Sequence, residues 1–371
     1  MSSQEGDQRW MRCALNLGRR QLGKTWPNPA VGCVLVKDGR VVSRAVTGTG
    51  GRPHAEANAL LAAGDAARGC TAYVTLEPCA HIGETPACAE LLVDAGISRV
   101  VTAIGDPDPR VSGQGIEILR TAGIAVTTGI LDDVARETHQ GFFSRIKLGR
   151  PFLTLKLAMS FDGRIADKNG DSKWITGPAS RRRVHLMRAR HDAVMVGRGT
   201  ACADDPNLGT YGLGVDTSPV RIVIDSHLST PTDSQLGRIA ADMPVWICHL
   251  SQADSHSVNS WSSCGATTIA CKAQGGRVDL SDALQRLARK GLTRIVCEGG
   301  AALAATLISS DLVDEIVGFH AGVCLGDAGL SAIGPGGMKP LAIADRFRLI
   351  SSATSGGDVM HRWARRDQSQ D

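Results

Sequence analysis

Four residues in two neighbouring stretches have the types and spacing to do chemistry. PHAEANALLAAG, residues 53–64, sets His54 and Glu56 at the entrance to an apolar helical pattern to which neither belongs. TLEPCAHIGETPAC, residues 75–88, follows with Cys79 and Cys88. One imidazole and two thiolates are suitable zinc ligands, and the two thiolates cancel the charge of the divalent ion. Three protein ligands leave a fourth position for water, whose pKa zinc lowers from about 15.7 to about 7. Glu56 then has a task that a structural zinc site would not require. It can take a proton from that water and deliver it to a departing nitrogen. A structural site would add a fourth ligand, and His81 is the one candidate nearby. Taken singly, these residues are more often core side chains than ligands; taken jointly, they point to catalytic zinc.

The pattern is that of the zinc deaminases: His-x-Glu, then Pro-Cys and a second Cys, with the Glu outside the ligand set. The surrounding sequence must bring the ligands together. Cys79 lies just past the strand pattern TAYVTL, Cys88 opens the helix pattern ACAELLVDAG, and His54 stands at a helix start. Helix N-termini favour thiolates, so helix starts and a strand end can converge at one sheet edge. An N-terminal helix, DQRWMRCALNLGRRQ, precedes AVGCVLVKDGRVVSRAV, which reads as a hairpin turning at Asp38-Gly39. Helix and strand patterns then alternate through IAVTTGI, giving an α/β domain with parallel strands after the hairpin.

The pattern pauses at SRIKLGRP, residues 144–151, and a boundary there divides the chain into domains 1–147 and 148–371. A second alternating series runs from PFLTLKLAMS to EIVGFHAGV, with the polar LSQADSHSVNSWSSCG read as a surface connection. The helix pattern PASRRRVHLMRARHD places Arg181, His185 and Arg188 on one face, either a phosphate-binding face or a solvated basic one. CEGGAALAATLI sets two glycines between a strand and a helix, where free amides could meet a phosphate. No strand is followed by the three spaced glycines of a Rossmann turn.

The bulk composition narrows the function. The 371 residues carry 41 basic and 37 acidic side chains, a net charge of +4, with 4% aromatics. That balance disfavours a nucleic-acid or membrane partner. Eleven cysteines, irregularly spaced and several in apolar runs, argue against a disulfide framework and for a reducing, cytoplasmic setting. The start MSSQEGDQRWMRCALNL lacks the form of a secretory signal, and no apolar run would span a bilayer.

PNPAVGCVLVKDG, GGRPHAEANAL, AYVTLEPCAHIGETPAC and DPDPRVSGQG resemble the N-terminal half of the bifunctional riboflavin-biosynthesis deaminase/reductase family. LKLAMSFDGRIA, SKWITGP, DAVMVGRGTACADDPNL, RIVIDS and EGGAALAATLI resemble its C-terminal half, in the same order. The resemblance implies a cytidine-deaminase-like αβα domain followed by a dihydrofolate-reductase-like α/β domain. It implies deamination of diaminohydroxyphosphoribosylaminopyrimidine, then NADPH-dependent reduction of the ribosyl group to ribityl. Zinc ligation falls on His54, Cys79 and Cys88, the proton shuttle on Glu56, and the pyrimidine pocket on Asn28. NADPH would meet Ala158, Trp174, Thr200, Asp204, Ser226 and the turn Gly300, Ala301, Ala302, Leu303, Ala304, Ala305, Thr306. The phosphorylated pyrimidine would meet Ser172, Arg188, Leu208 and Glu298. Three positions depart from the family pattern: Thr47 for His, Glu84 for Lys or Arg, and Tyr211 for an Arg that helps hold the phosphate. With Tyr211 uncharged, Arg188 is expected to carry part of the phosphate recognition. The alternative is a zinc nucleoside or tRNA deaminase whose second domain binds without reducing. Sequence leaves room for a homo-oligomer.

Overall fold

A computed structural model of the chain describes residues 3–80, 86–214, 218–336, 339–341, 344 and 347–366. The chain forms two compact units, residues 1–150 and 151–371. Among the described residues, no helix is long and apolar enough to cross a membrane.

The first unit runs α1 (Ser3–Gly18), β1 (Gly32–Lys37), β2 (Arg40–Val46), α2 (Ala55–Ala63) and β3 (Thr71–Val74). It continues with α3 (Cys88–Asp94), β4 (Arg99–Thr102), α4 (Gln114–Thr121), β5 (Ala125–Thr127) and α5 (Asp132–Leu148). The five strands lie in the order β2-β1-β3-β4-β5. Asp38 and Gly39 both have positive φ (50° and 71°), the geometry of a two-residue hairpin turn between β1 and β2. β3, β4 and β5 are parallel, as the alternating pattern predicts. α1 buries Met11, Ala14 and Leu15 completely against the sheet. A Cβ at Gly32 would collide with the Ala14 carbonyl, so this close helix–strand approach requires glycine.

The second unit begins β6 (Phe152–Met159), β7 (Arg164–Ala166), α6 (Pro178–Ala189), β8 (Ala193–Gly197), α7 (Arg198–Asp204) and β9 (Val220–Ile224). Then come α8 (Gln235–Ile239), β10 (Val245–Leu250), α9 (Ser255–Ser263), β11 (Thr267–Cys271), β12 (Ala273–Gln274) and β13 (Arg277–Val278). It ends with α10 (Leu280–Arg289), β14 (Arg294–Gly299), α11 (Ala301–Ser309), β15 (Glu315–His320), β16 (Leu330–Ser331), β17 (Phe347–Ser355) and β18 (Asp358–Arg365). Its main sheet has the order β11-β10-β9-β8-β14-β6-β15-β18-β17. All neighbours are parallel from β11 to β15, and β18 and β17 add antiparallel at one edge. Strands such as AVMVG and RIVCEG are buried along most of their length, as expected of parallel strands inside a sheet.

Three elements differ from the sequence reading. The pause at residues 144–151 is not loop: α5 continues to Leu148 and ends at Gly149 in the left-handed region (φ 65°). The polar connection after β10 contains α9, whose Asp254 accepts the Ser257 N–H at 2.9 Å and whose Trp261 is buried. The C-terminal hairpin of β17 and β18 carries no strong apolar alternation and is fixed by pairing with β15.

Candidate active sites

His54 is the N-cap of α2, Cys88 is the first residue of α3, and Cys79 follows β3. The His54 Nδ1 atom lies 3.3 Å from Cys88 Sγ and 3.6 Å from Cys79 Sγ. All three ligand atoms fall within 4.8 Å of one another, the only such metal-binding group found among the described residues. Tetrahedral zinc with ordinary Zn–N and Zn–S bonds sets a nitrogen–sulfur separation of about 3.6 Å, so the donors fit that ion. The Cys88 backbone N–H donates to Cys79 Sγ at 3.3 Å, a helix-start amide directed at a thiolate. A hydrogen bond from the Cys88 thiol, with help from His54, pulls Cys79 down to about 4. The same shared proton pushes Cys88 up. Two thiols competing for one proton are poised to exchange it for a cation.

Glu56 sits in the first turn of α2, 4% exposed, and burial pushes its carboxyl up to about 7. Both protonation states are therefore accessible near neutrality, as proton shuttling requires. Asn28 reaches the loop before His54, donating from Nδ2 to the Gly51 carbonyl at 3.0 Å. Gly51 has φ 89° and no room for a Cβ beside Asn28.

Glu77, between strand and ligand in LEPC, escaped the sequence reading. Buried, it accepts backbone N–H groups from Asp106 (3.3 Å), Gly113 (3.1 Å) and Ile116 (3.4 Å), and so holds the DPDPRVSGQG loop against the Cys79 turn. The visible signal was a carboxylate one residue before Pro-Cys. Thr47 is buried, exchanging hydrogen bonds with the Val31 backbone through both its N–H and its hydroxyl. It closes the strand edge. His81 and Glu84 lie outside the described residues.

In the second unit, Arg188 on α6 meets Glu298 on β14 in a two-pronged pair, Nε–Oε1 at 2.5 Å and Nη2–Oε2 at 2.8 Å. Its Nη1 donates to the Gly209 carbonyl at 2.9 Å, next to buried Leu208. The structure thus brings together Arg188, Glu298 and the Leu208 loop. Three of its five N–H groups thus donate within the protein. Exposed Arg182 also reaches that loop, donating from Nη1 to the Gly212 carbonyl at 3.0 Å. Tyr211 packs edge-on against His185, ring centres 5.5 Å apart. Lys156, missed although it interrupts the apolar run FLTLKLAM, lies in the field of Glu298, Arg188 and Asp204; burial lowers its pKa.

Ala158 lies near the end of β6, Thr200 and Asp204 on α7, and Ser226 just after β9. Gly300 caps α11 with φ 74°, and a Cβ there would lie 3.1 Å from Thr200 Oγ1, so the starts of α7 and α11 are neighbours. The amides of Ala301, Ala302 and Leu303 precede the helical ladder, which begins with Ala304 N–H to Gly300 O at 3.0 Å. Ala304 and Ala305 are buried, and Thr306 Oγ1 bonds back to Ala302 O at 2.9 Å, so these three shape the turn from behind. Ser226 Oγ accepts from Val278 N–H at 3.1 Å, and the Trp174 ring lies under the Arg181 guanidinium. The carbonyl of Ser172 accepts the Ile175 N–H at 3.3 Å in the same loop.

Comparisons with known proteins match both units of the chain. Residues 4–104 match the cytidine and deoxycytidylate deaminase zinc-binding region, and residues 151–361 match the RibD C-terminal domain. The chain is 38% identical over 352 residues to the riboflavin biosynthesis protein RibD of Actinobacillus pleuropneumoniae, covering 95% of this chain and 93% of that one. Against RibD of Escherichia coli it is 37% identical over 365 residues, covering 95% and 98%. A solved structure of Acinetobacter baumannii RibD superposes with a TM-score of 0.87 at 35% identity, covering 98% and 100%. A diaminohydroxyphosphoribosylaminopyrimidine deaminase/5-amino-6-(5-phosphoribosylamino)uracil reductase from Thermotoga maritima gives 0.86 at 29% identity, covering 98% and 99%. With the zinc-ligand cluster in one half and the glycine-capped helix in the other, the chain belongs to the RibD family of bifunctional riboflavin-biosynthesis enzymes, a zinc-dependent deaminase joined to an NADPH-dependent reductase.

Proposed function

We propose that residues 1–147 deaminate diaminohydroxyphosphoribosylaminopyrimidine and residues 148–371 reduce the ribosyl group of the product. The observation that carries the deaminase assignment is the meeting of His54 Nδ1 with two cysteine sulfurs beside a buried carboxyl. His54, Cys79 and Cys88 hold zinc, which when bound supplies Lewis-acid activation of water. Glu56 holds and moves the proton, from the attacking water to the leaving amino nitrogen. Asn28, fixed on Gly51, orients the pyrimidine. A reducing, cytoplasmic setting keeps both thiols available.

In the reductase half, the amides of Ala301, Ala302 and Leu303 face cofactor phosphate, with Thr200, Asp204, Ser226, Ala158 and Trp174 placing the rest of NADPH. NADPH supplies the hydride. Arg188, Glu298, Leu208 and Ser172 orient the phosphoribosyl group, with Arg182 adding the charge that Tyr211 lacks. Lys156 and Glu298 are the titratable groups at hand for the proton that accompanies hydride transfer.

Two measurements test the division. Cys88→Ser should lose zinc and deamination together while oxidising NADPH at the parent rate on already deaminated substrate. A zinc-free variant with full deamination would overturn the metal assignment. Loss of both activities in a folded Cys88→Ser protein would overturn the division of labour.

A further inference from the structure

The first unit carries a groove of about 550 Å³ between α3 and α4, lined by none of the zinc ligands. Val93 and Ile118 form its apolar floor, half-buried against the core, and Glu90, Asp94 and Glu117 stand exposed around it. Glu90 and Asp94 are four residues apart on α3, a spacing at which like charges repel, and Glu117 faces them from α4. Asp94 also ends α3, where the helix dipole disfavours a carboxylate. Among the described residues none of these three carboxylates has an ion-pair partner, and no lysine or arginine lines the groove. A cation brought from outside relieves such repulsion. Apolar floor and acidic rim together make a seat for a basic segment with an apolar ridge.

The chain presents such a segment in its other helical layer. α1 packs on β1 and α5, whereas α3 packs on α2 and α4, so no copy can seat its own α1 in its own groove. The helical repeat puts Arg9, Cys13 and Leu17 on one ridge of α1, with Arg20 at its end in the 3₁₀ turn that continues the helix. Arg9 and Arg20 are exposed, and Cys13 and Leu17 half-buried. The Arg9 guanidinium stands 4.6 Å from the centre of the Trp10 ring, and neither Arg9 nor Arg20 has an ion-pair partner among the described residues. From Arg9 to Arg20 the ridge is about 16 Å long, and the eight residues of α4 span about 12 Å. An apolar middle with a cation at each end thus matches an apolar floor with carboxylates around it.

We propose that the α3–α4 groove receives α1 of a second copy of this chain, Arg9 and Arg20 meeting the three carboxylates and Leu17 meeting Val93 and Ile118. Groove and ridge are different surfaces, so the contact runs head to tail. Each copy offers its groove to one neighbour and its α1 to the next, closing into a ring or running on as a chain. The groove holds only about two helical turns, less than a standard interface, so the association is weak and salt-sensitive.

Charge reversal followed by mixing tests it, by sedimentation velocity on the full-length, zinc-loaded protein. Glu90 is left in place because it lies two residues from the ligand Cys88. The parent should show an association step at least about tenfold tighter in about 50 mM than in about 500 mM NaCl. The groove variant Asp94→Lys/Glu117→Lys and the ridge variant Arg9→Glu/Arg20→Glu should each weaken that step about 10- to 100-fold. Mixed in equal amounts they should associate again to within about threefold of the parent, since the reversed groove meets the reversed ridge and the native pair is still present. Zinc content and deamination by each dissociated variant should match the parent, which shows that the fold is intact. Where a reversed groove loses zinc, Asp94→Asn/Glu117→Gln replaces it and should weaken association about three- to tenfold. A parent that stays monomeric, or associates independently of salt, overturns the proposal. So does unchanged association in the groove variants. Dissociation of both reversed variants without recovery on mixing would mean that another surface fills the groove, and α1 would be excluded as its occupant.

Discussion

Replacing Glu56 by alanine should cut deamination by about 10²–10⁴-fold, the usual contribution of a positioned acid–base group. At 1.36 kcal/mol per decade this is about 2.7–5.4 kcal/mol of barrier. The structure explains why the loss should be confined to chemistry. Glu56 is 4% exposed and held near neutrality by burial, so its value lies in exchanging a proton and not in a salt bridge. The cluster of His54, Cys79 and Cys88 is complete without it, so zinc should remain at the parent stoichiometry. Alanine is the best helix former and sits in the first turn of α2, which should keep its place. Glu56→Gln separates shape from proton transfer: it keeps the volume, cannot shuttle, and should be nearly as slow as alanine. The assays are release of ammonia from the aminopyrimidine, NADPH oxidation on deaminated substrate, and zinc content, all on one preparation. NADPH oxidation should stay close to the parent rate. Deamination within tenfold of the parent in both variants would refute the shuttle. Equal loss of both activities with zinc retained would refute separate sites.

Other outcomes follow from the second unit. Arg182→Ala should raise the KM for the phosphorylated substrate about tenfold at unchanged NADPH affinity, because its guanidinium is exposed beside the Tyr211 loop. No change would remove it from phosphate recognition. Arg188→Ala should instead destabilise the reductase unit by about 3–5 kcal/mol, since it strands Glu298 in a nearly buried position. Full reductase stability in urea unfolding would contradict that reading. Burial holds the His191 imidazole down at about 3, against about 6.5 in an unfolded chain. The unfolded state therefore takes up the proton first as pH falls. The stabilising difference is intact above pH about 6.5 and is lost below it by up to about 1.4 kcal/mol per pH unit. His191→Gln should flatten the fall in melting temperature between pH 6.5 and 5; an unaltered slope would place the acid sensitivity elsewhere.

The deaminase chemistry was legible in one dimension because it depends on residue type and short-range spacing. His54-x-Glu56 at a helix start, and Cys79 and Cys88 at a strand end and the next helix start, state the donor set before any fold is known. The alternation of apolar runs likewise marked most strands, since each buried strand needs apolar residues whatever its neighbours are. α5 and α9 were not legible. In α9 only Val258 and Trp261 are large apolar residues, and the helix exists because a core formed by other strands receives Trp261. The β17–β18 hairpin depends in the same way on β15. Tertiary structure also decided pairings between distant residues. Arg188 and Glu298 are 110 residues apart, and no local pattern could show that this arginine is engaged while Arg182 is exposed. Glu77 gathers amides that lie 29 to 39 residues away. Chemistry carried by one side chain is written in its type; who neutralises it, and which atom stays free for a ligand, is settled only when distant segments pack.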